Sequence, residues 1–108
     1  MISVVIFKSN DEYKGFTFDG HAGFSKHGKD IVCSAVSVLC INTVNSIEKF
    51  CDDGFKGDAS EDGGHISVEF IDENSKELRL LMDSMLLGLE EIQKQYGSKY
   101  IKLQYKEV

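Results

Sequence analysis

The sequence predicts an α+β fold: a two-layer sandwich in which a four-stranded mixed sheet carries two amphipathic helices on one face. Two stretches repeat apolar residues at three- and four-residue steps, and four shorter runs are apolar or alternate apolar with polar residues. Their order along the chain is strand, strand, helix, strand, helix, strand. Two layers bury the apolar stripe of each helix against the apolar face of the sheet. We expect residues 1–108 to form one domain, because the length is that of one.

The four strands are predicted from runs of β-branched residues or from alternation with a period of two. The first covers residues 2–8 and the second residues 13–20, and the polar turn between them indicates a hairpin. The third strand covers residues 66–70. The last strand alternates in the same way over residues 101–105.

The two helices are predicted from apolar residues that recur at helical spacing. The first helix has Asp30 as its N-cap and continues for about twenty residues. The second begins at Asn74, which resembles a capping box with the glutamate three residues later, and ends near Gly97. We expect Cys40 and Cys51 to be packed thiols on the apolar face of the first helix.

Two segments are predicted to be loops. Residues 20–29 hold three glycines and few aliphatic residues, which indicates a mobile loop. Residues 51–64 hold five acidic residues, four glycines and one lysine, which indicates a solvated loop. One hypothesis for this acidic loop is that it attracts a basic substrate.

Composition argues against several classes of function. The chain has 18 acidic and 12 basic residues, a net charge of −6, which argues against direct nucleic-acid binding because phosphate contacts rely on lysine and arginine. No apolar run is expected to approach the roughly 20 residues that cross a bilayer, so no membrane association is expected. The first residues lack the basic lead and cleavage site of a signal peptide. Three cysteines without an export signal predict reduced thiols and a cytoplasmic protein.

Cys33 and His21 are the candidate catalytic residues. If Asp30 is the N-cap, Cys33 is the third helical residue, beside unpaired backbone N–H groups and the positive end of the helix dipole. Such a position lowers a thiol pKa and favours the nucleophilic thiolate. The glycine-rich loop could fold back so that the His21 imidazole takes the thiol proton. Backbone N–H groups at the helix start could bind an oxyanion.

Residues 20–37 read G-H-A-G-F-S-K-H-G-K-D-I-V-C-S-A-V-S, and this run resembles the signature of the bacterial ribosomal-processing cysteine protease family, called Prp. In that family a Gly-His-Ala near the end of the second strand precedes Gly-x-Asp-Ile-Val-Cys at a helix start. Both halves are present at the family's spacing, and the length, element order and acidic balance agree. Ser34 departs from the pattern, in which we expect alanine.

The resemblance implies a cysteine endopeptidase that removes a short N-terminal extension from large-subunit ribosomal protein twenty-seven. It implies Cys33 as the nucleophile and His21 as the general acid and base, with no metal and no other cofactor. It also implies a homodimer and a non-polar groove near Cys33. The loop that admits the peptide is expected to move, and its substrate-contacting residues are Ala22, Gly23, His27 and Gly28.

Two predicted residues beside the pair have alternative roles. Asp30 either caps the helix or orients His21, and capping is favoured because aspartate is a preferred N-cap. Ser37 lies one helical turn beyond Cys33, where it could support the site or bond the helix backbone.

Three other functions compete with proteolysis. A non-enzymatic ribosome-assembly factor would bind a basic ribosomal protein through the acidic surface. A thiol redox protein is disfavoured because Cys40 is two helical turns from Cys33, about 10 Å along the axis. A zinc site lacks the usual short paired-ligand spacing; its ligands would be His21, His27, Cys33 and His65.

Overall fold

The computed structural model describes residues 2–20, 27–61 and 64–108, with residues 27–30 described by their backbone. These residues form two strands, a long helix, two more strands, a second helix and a last strand. The elements are β1 (Ile2–Ser9), β2 (Glu12–Asp19), α1 (His27–Phe50), β3 (Phe55–Ala59), β4 (His65–Phe70), α2 (Lys76–Tyr96) and β5 (Ile101–Glu107). Every predicted helix and strand is present in the predicted order, and β3 is an addition.

The strands form one mixed sheet in the order β3-β4-β2-β1-β5. β1 and β2 are antiparallel and form the predicted hairpin, with Ser3 opposite Asp19. β4 is antiparallel to both β2 and β3. β5 runs parallel to β1, with Ile2 opposite Ile101, so the first and last strands of the chain are neighbours.

The predicted four-stranded sheet is wrong by one strand, because β3 lies in the segment predicted to be an acidic loop. β3 pairs with β4 at the edge of the sheet, from Phe55 opposite Phe70 to Ala59 opposite Ile66. Its sequence, FKGDA, has one large apolar residue, and four of its five residues are exposed. Strand preference depends strongly on the neighbouring strand, so pairing with β4 forms β3 although its own pattern does not predict a strand.

One apolar core lies between the sheet and both helices, which places the helices on the same face, as predicted. Alternate residues of β1 and β4 point into this core, and burial of each large apolar side chain contributes about 1.5–3 kcal/mol. Phe50, the last residue of α1, is exposed. The largest fully buried side chains are Phe16, Phe18, Ile6, Ile47, Leu78, Met82, Met85, Leu89, Ile101, Val4, Val32 and Val36.

The α1 helix contains a stretch, Ile31–Phe50, that is long and apolar enough to cross a membrane by length and composition, with a mean hydropathy of 1.5. The expectation that no apolar run approaches this length is therefore wrong. Polar residues interrupt the run, but its charged residues, Glu48 and Lys49, come only near its end. One face of this stretch packs into the core through Val32, Val36 and Ile47, while Ile31, Val38 and Ile41 on the rest of its surface are exposed.

The α2 helix begins one residue later than predicted. Ser75 is the N-cap, and its side-chain oxygen accepts a hydrogen bond from the Leu78 backbone N–H at 3.0 Å. Asn74 is bonded to β2 instead: its Oδ1 accepts from the Tyr13 N–H and its Nδ2 donates to the Tyr13 carbonyl. Serine and asparagine both cap helices well. The contact of Asn74 with Tyr13 therefore decides that Ser75 is the N-cap. The predicted end at Gly97 is confirmed by its φ of 98°, which glycine adopts without strain.

We predict that Ser75→Ala lowers the free energy of unfolding by about 1 kcal/mol, because it removes the acceptor for a helix-terminal N–H. Denaturant unfolding followed by circular dichroism measures the change. Ser84→Ala, exposed in the middle of α2, is the matched control and is expected to change that free energy by less than about 0.5 kcal/mol. Equal losses in both variants would contradict the cap assignment.

Candidate active site

The helix that carries Cys33 begins at His27, three residues before Asp30. The predicted N-cap at Asp30 is therefore wrong, and so is the loop predicted to continue through residue 29. Asp30 lies in the first turn, and Cys33 is the seventh residue of α1 rather than the third. An acidic residue is favoured in the first turn of a helix as well as at its cap, so the sequence pattern does not separate the two positions.

This earlier start removes the helix terminus as an explanation for thiol reactivity. Only the first four N–H groups of a helix lack partners within it, and the effect of the dipole fades beyond the first turn. Cys33 lies beyond both limits, so the predicted oxyanion site at helix-start N–H groups beside it is wrong as well. A thiol at this position needs a neighbouring group to increase its thiolate fraction.

Cys33 itself is half-buried and packs against the core, while its thiol meets the end of β2. The Cys33 Sγ donates to the carbonyl oxygen of Gly20, 3.5 Å away. Gly20 comes directly after β2 and directly before His21 in the sequence. The candidate nucleophile is therefore in contact with the residue that precedes the candidate base.

Gly20 permits this contact because it has no side chain. A Cβ at position 20 would lie 2.4 Å from the ring of Phe18 and 3.1 Å from the Cys33 Sγ. The Phe18 ring is completely buried in the core and has no room to move aside. The glycine of the Gly-His-Ala run thus has a steric reason: it lets the end of β2 lie against α1.

A pair of side chains that the sequence did not indicate holds the end of β2 against β4. The His65 Nδ1 donates to the Asp19 Oδ1 at 2.6 Å, and the Gly20 N–H donates to the Gly64 carbonyl at 2.8 Å. The side-chain pair is partly exposed and contributes no more than about 1 kcal/mol, but it lies directly beside Gly20. His65 and Asp19 are 46 residues apart in sequence, and only the register of β2 on β4 makes them neighbours.

The segment predicted to be the substrate loop is described only at its end. His27 and Gly28, predicted to lie in that loop, are the first two residues of α1. His21, Ala22 and Gly23 lie outside the described residues.

Ser37 is the other candidate residue on α1. Ser37 lies one turn beyond Cys33 and is half-buried, and its supporting role stays a prediction.

Over residues 2–20, 27–61 and 64–108, no group of three or more histidine, cysteine, aspartate and glutamate side chains is placed to hold a metal ion.

The other two cysteines are free thiols in packed positions. Cys40 is buried in α1, as predicted, and burial raises its thiol pKa to about 12. Cys51 follows the end of α1 rather than lying on it. Burial, and then the charge of Asp53, raise the pKa of the Cys51 thiol. A raised pKa lowers the thiolate fraction at neutral pH, so neither thiol is a strong nucleophile.

Comparison with known proteins connects this site to a protease family. The family model for the cysteine protease Prp matches residues 1–102. The chain is also 35% identical over 103 residues to the ribosomal processing cysteine protease Prp of Bacillus subtilis (strain 168), which covers 89% of this chain and 90% of that protein.

Two solved structures of the ribosomal processing protease Prp from S. aureus have the same fold, each over 98% of this chain and 100% of theirs. The complex with a substrate peptide matches with a TM-score of 0.88 at 30% identity. The complex with a covalently linked product peptide matches with a TM-score of 0.86 at 31% identity. The five-stranded mixed sheet with two helices is thus the fold of these proteins.

We predict that Gly20→Ala lowers the free energy of unfolding by about 1–3 kcal/mol, because its Cβ overpacks the contact with Phe18 and Cys33. It should also change the rate at which Cys33 is alkylated, since the thiol must shift. Thermal unfolding and alkylation kinetics measure the two effects. In the control Gly57→Ala, the new Cβ meets the Phe55 ring at an ordinary 3.5 Å, and both quantities should stay unchanged. An unaltered Gly20→Ala variant would contradict the steric argument.

We also predict that the three thiols differ in their rates of alkylation. At about pH 8, near the reference pKa of a free thiol, iodoacetamide is expected to modify Cys33 first, Cys51 more slowly and Cys40 not at all. Raising the pH should speed the reaction of Cys51, because its raised pKa is approached from below. Cys40 should stay unmodified until its pKa of about 12 is approached. Peptide mass mapping identifies the sites, and modification of Cys40 or Cys51 before Cys33 would be the contrary result.

Proposed function

Because the chain belongs to the family of the cysteine protease Prp, we propose that it removes the short N-terminal extension of large-subunit ribosomal protein twenty-seven during bacterial ribosome maturation. The family consists of cysteine-type peptidases, and the related proteins are named ribosomal processing cysteine proteases. The complexes of the S. aureus protein with substrate and product peptides support a peptide substrate for this chain.

The observation that carries the proposal is the contact between the Cys33 thiol and the Gly20 carbonyl. This contact joins the helix that bears the nucleophile to the strand end that leads directly to His21. Cys33 gains little from the start of α1, so the helix does not supply its reactivity. An imidazole that removes the thiol proton is the activation that cysteine nucleophiles commonly use. The position of Cys33 therefore supports a Cys33–His21 pair over a thiol activated by the helix alone.

In the proposed mechanism, the His21 imidazole takes the Cys33 thiol proton and the thiolate attacks the scissile carbonyl carbon. The tetrahedral intermediate then collapses, and the imidazolium gives its proton to the leaving amine. The C-terminal fragment departs, and the N-terminal fragment remains on Sγ as a thioester. Water, deprotonated by the imidazole, attacks this thioester and releases the fragment as a carboxylic acid, which restores the thiol.

We also propose that the protein acts as a cytoplasmic homodimer. Both helices carry exposed apolar residues on their outer surface, among them Val38 on α1 and Leu80 and Leu87 on α2, and a second copy would remove them from water. Cys40 and Cys51 are reduced thiols, which suits a reducing compartment. Sedimentation equilibrium that finds only monomer at micromolar concentration would contradict the dimer. Recovery of the protein from the membrane or exported fraction would contradict the location.

We predict that Cys33→Ala and His21→Ala each abolish cleavage of the precursor peptide, because each removes one partner of the proton transfer and attack. Mass spectrometry of the peptide after incubation detects the two fragments, and circular dichroism checks that the fold survives. Ser34→Ala is the matched control, since it alters the exposed neighbour of Cys33 to the residue expected in the family, and it should cleave normally.

Cleavage by either catalytic variant would overturn the role given to that residue. An uncleaved precursor that the wild-type protein binds tightly would instead favour the non-enzymatic assembly factor.

A further inference from the structure

A cavity of about 580 Å³ lies between the C-terminal half of α1 and strands β3 and β4. Its volume is in the range of pockets that bind small molecules. Apolar side chains of all three elements line it, including Ile41 and Val44 from α1 and Val68 from β4. We call this cavity the α1–β3 groove. It is distinct from the contact between Cys33 and Gly20, and neither of those residues lines it.

The groove exists because β3 carries small residues where its neighbour carries large ones. Gly57 and Ala59 pair with Val68 and Ile66, whose side chains are buried on the helix side of the sheet. A Cβ added at Gly57 would meet only the Phe55 ring, at 3.5 Å. The space beside α1 is thus left unfilled by the residues of β3.

The charge of the groove favours a cationic ligand. Glu48, Asp53 and Asp58 line it, and no lysine or arginine is among its described lining residues. The Asp53 Oδ2 accepts a hydrogen bond from the Ser75 N–H at 2.8 Å. The Asp53 Oδ1 is buried and, within the described part of the chain, has no hydrogen-bond partner. Together the three carboxylates make the groove negative, and a lysine or arginine of a ligand would complement that charge.

The edge position of β3 favours an extended ligand. β3 is the outermost strand of the sheet and pairs with β4 alone among the described strands. The other side of such an edge offers backbone N–H and C=O groups to an added strand. A peptide that lies along β3 can therefore bond its backbone there while its side chains enter the groove.

We propose that the α1–β3 groove is a second binding site for the polypeptide substrate, which takes a segment where an aromatic or aliphatic side chain adjoins a lysine or arginine. This inference rests on the proposed peptidase function. Along α1, Ile41 and Glu48 lie eight and fifteen residues beyond Cys33, or about 12 and 22 Å. An extended peptide covers that distance with about four to seven residues. The groove thus binds a part of the substrate separate from the bond that is cut.

Two variants test the groove without touching the catalytic pair. Gly57→Val fills it, and Glu48→Gln removes one of its negative charges. Glu69→Gln is the matched control, because Glu69 is an exposed residue of β4 that does not line the groove. Each variant is combined with Cys33→Ala, so that binding is measured without cleavage. Fluorescence anisotropy reports binding of a labelled peptide with a Phe-Lys-Phe-Lys segment and of a matched peptide with serine at those positions.

Both groove variants should weaken binding of the Phe-Lys peptide about tenfold, as expected for loss of a charge-assisted contact or of the apolar pocket. The Glu69→Gln control should bind it as the parent does, and the serine peptide should bind weakly to every protein. Equal binding of the Phe-Lys peptide by parent and groove variants would overturn the proposal. So would equal weakening by Glu69→Gln, since the effect would then come from net charge alone.

Cleavage kinetics separate this inference from the proposed function. With active protein, Gly57→Val and Glu48→Gln should raise KM for a long substrate that carries the Phe-Lys segment and leave kcat unchanged. A short substrate that covers only the scissile bond should keep its KM. If no peptide is cleaved at all, the proposed function fails, while the anisotropy result still decides whether the groove binds peptide. Equal increases in KM for the short and long substrates would overturn a second site.

Discussion

The close approach of the end of β2 to the second turn of α1 is the constraint on which the site depends. It requires a residue without a side chain at position 20, because any Cβ there would collide with the buried Phe18 ring. The β2–β4 register and the His65–Asp19 pair hold this strand end in place. As a result, the Cys33 thiol lies against Gly20, the residue that directly precedes His21 in the sequence. The start of α1 does not activate this thiol.

Much of this arrangement could be predicted from the sequence, because apolar periodicity reports directly on burial. The strand alternation and the helical spacing of apolar residues located both helices and four of the five strands of the described fold. The Gly-His-Ala and Asp-Ile-Val-Cys runs, at their spacing, indicate the family from the sequence alone. The glycine at the end of α2 likewise marked its end, since a positive φ selects that residue.

The errors share one physical cause, which is that local patterns omit tertiary partners. β3 has no apolar alternation of its own and forms by pairing with β4. Asn74 resembles a cap but is bonded to Tyr13, so Ser75 takes that role. Asp30 suits a cap and a first turn equally, so the true start of α1 three residues earlier was not evident. The last error matters most, because it had given the start of α1 a share in the reactivity of Cys33 that the seventh residue of a helix does not gain.

Identification of the acyl-enzyme tests the central claim most directly. The wild-type protein is mixed with the precursor peptide and quenched in acid within the first turnover, and the intact mass and peptide map are recorded. The account predicts the N-terminal fragment attached to Cys33 through a bond that hydroxylamine cleaves, as expected of a thioester. An acyl adduct on another residue, or full cleavage after Cys33 has been blocked by iodoacetamide, would contradict it.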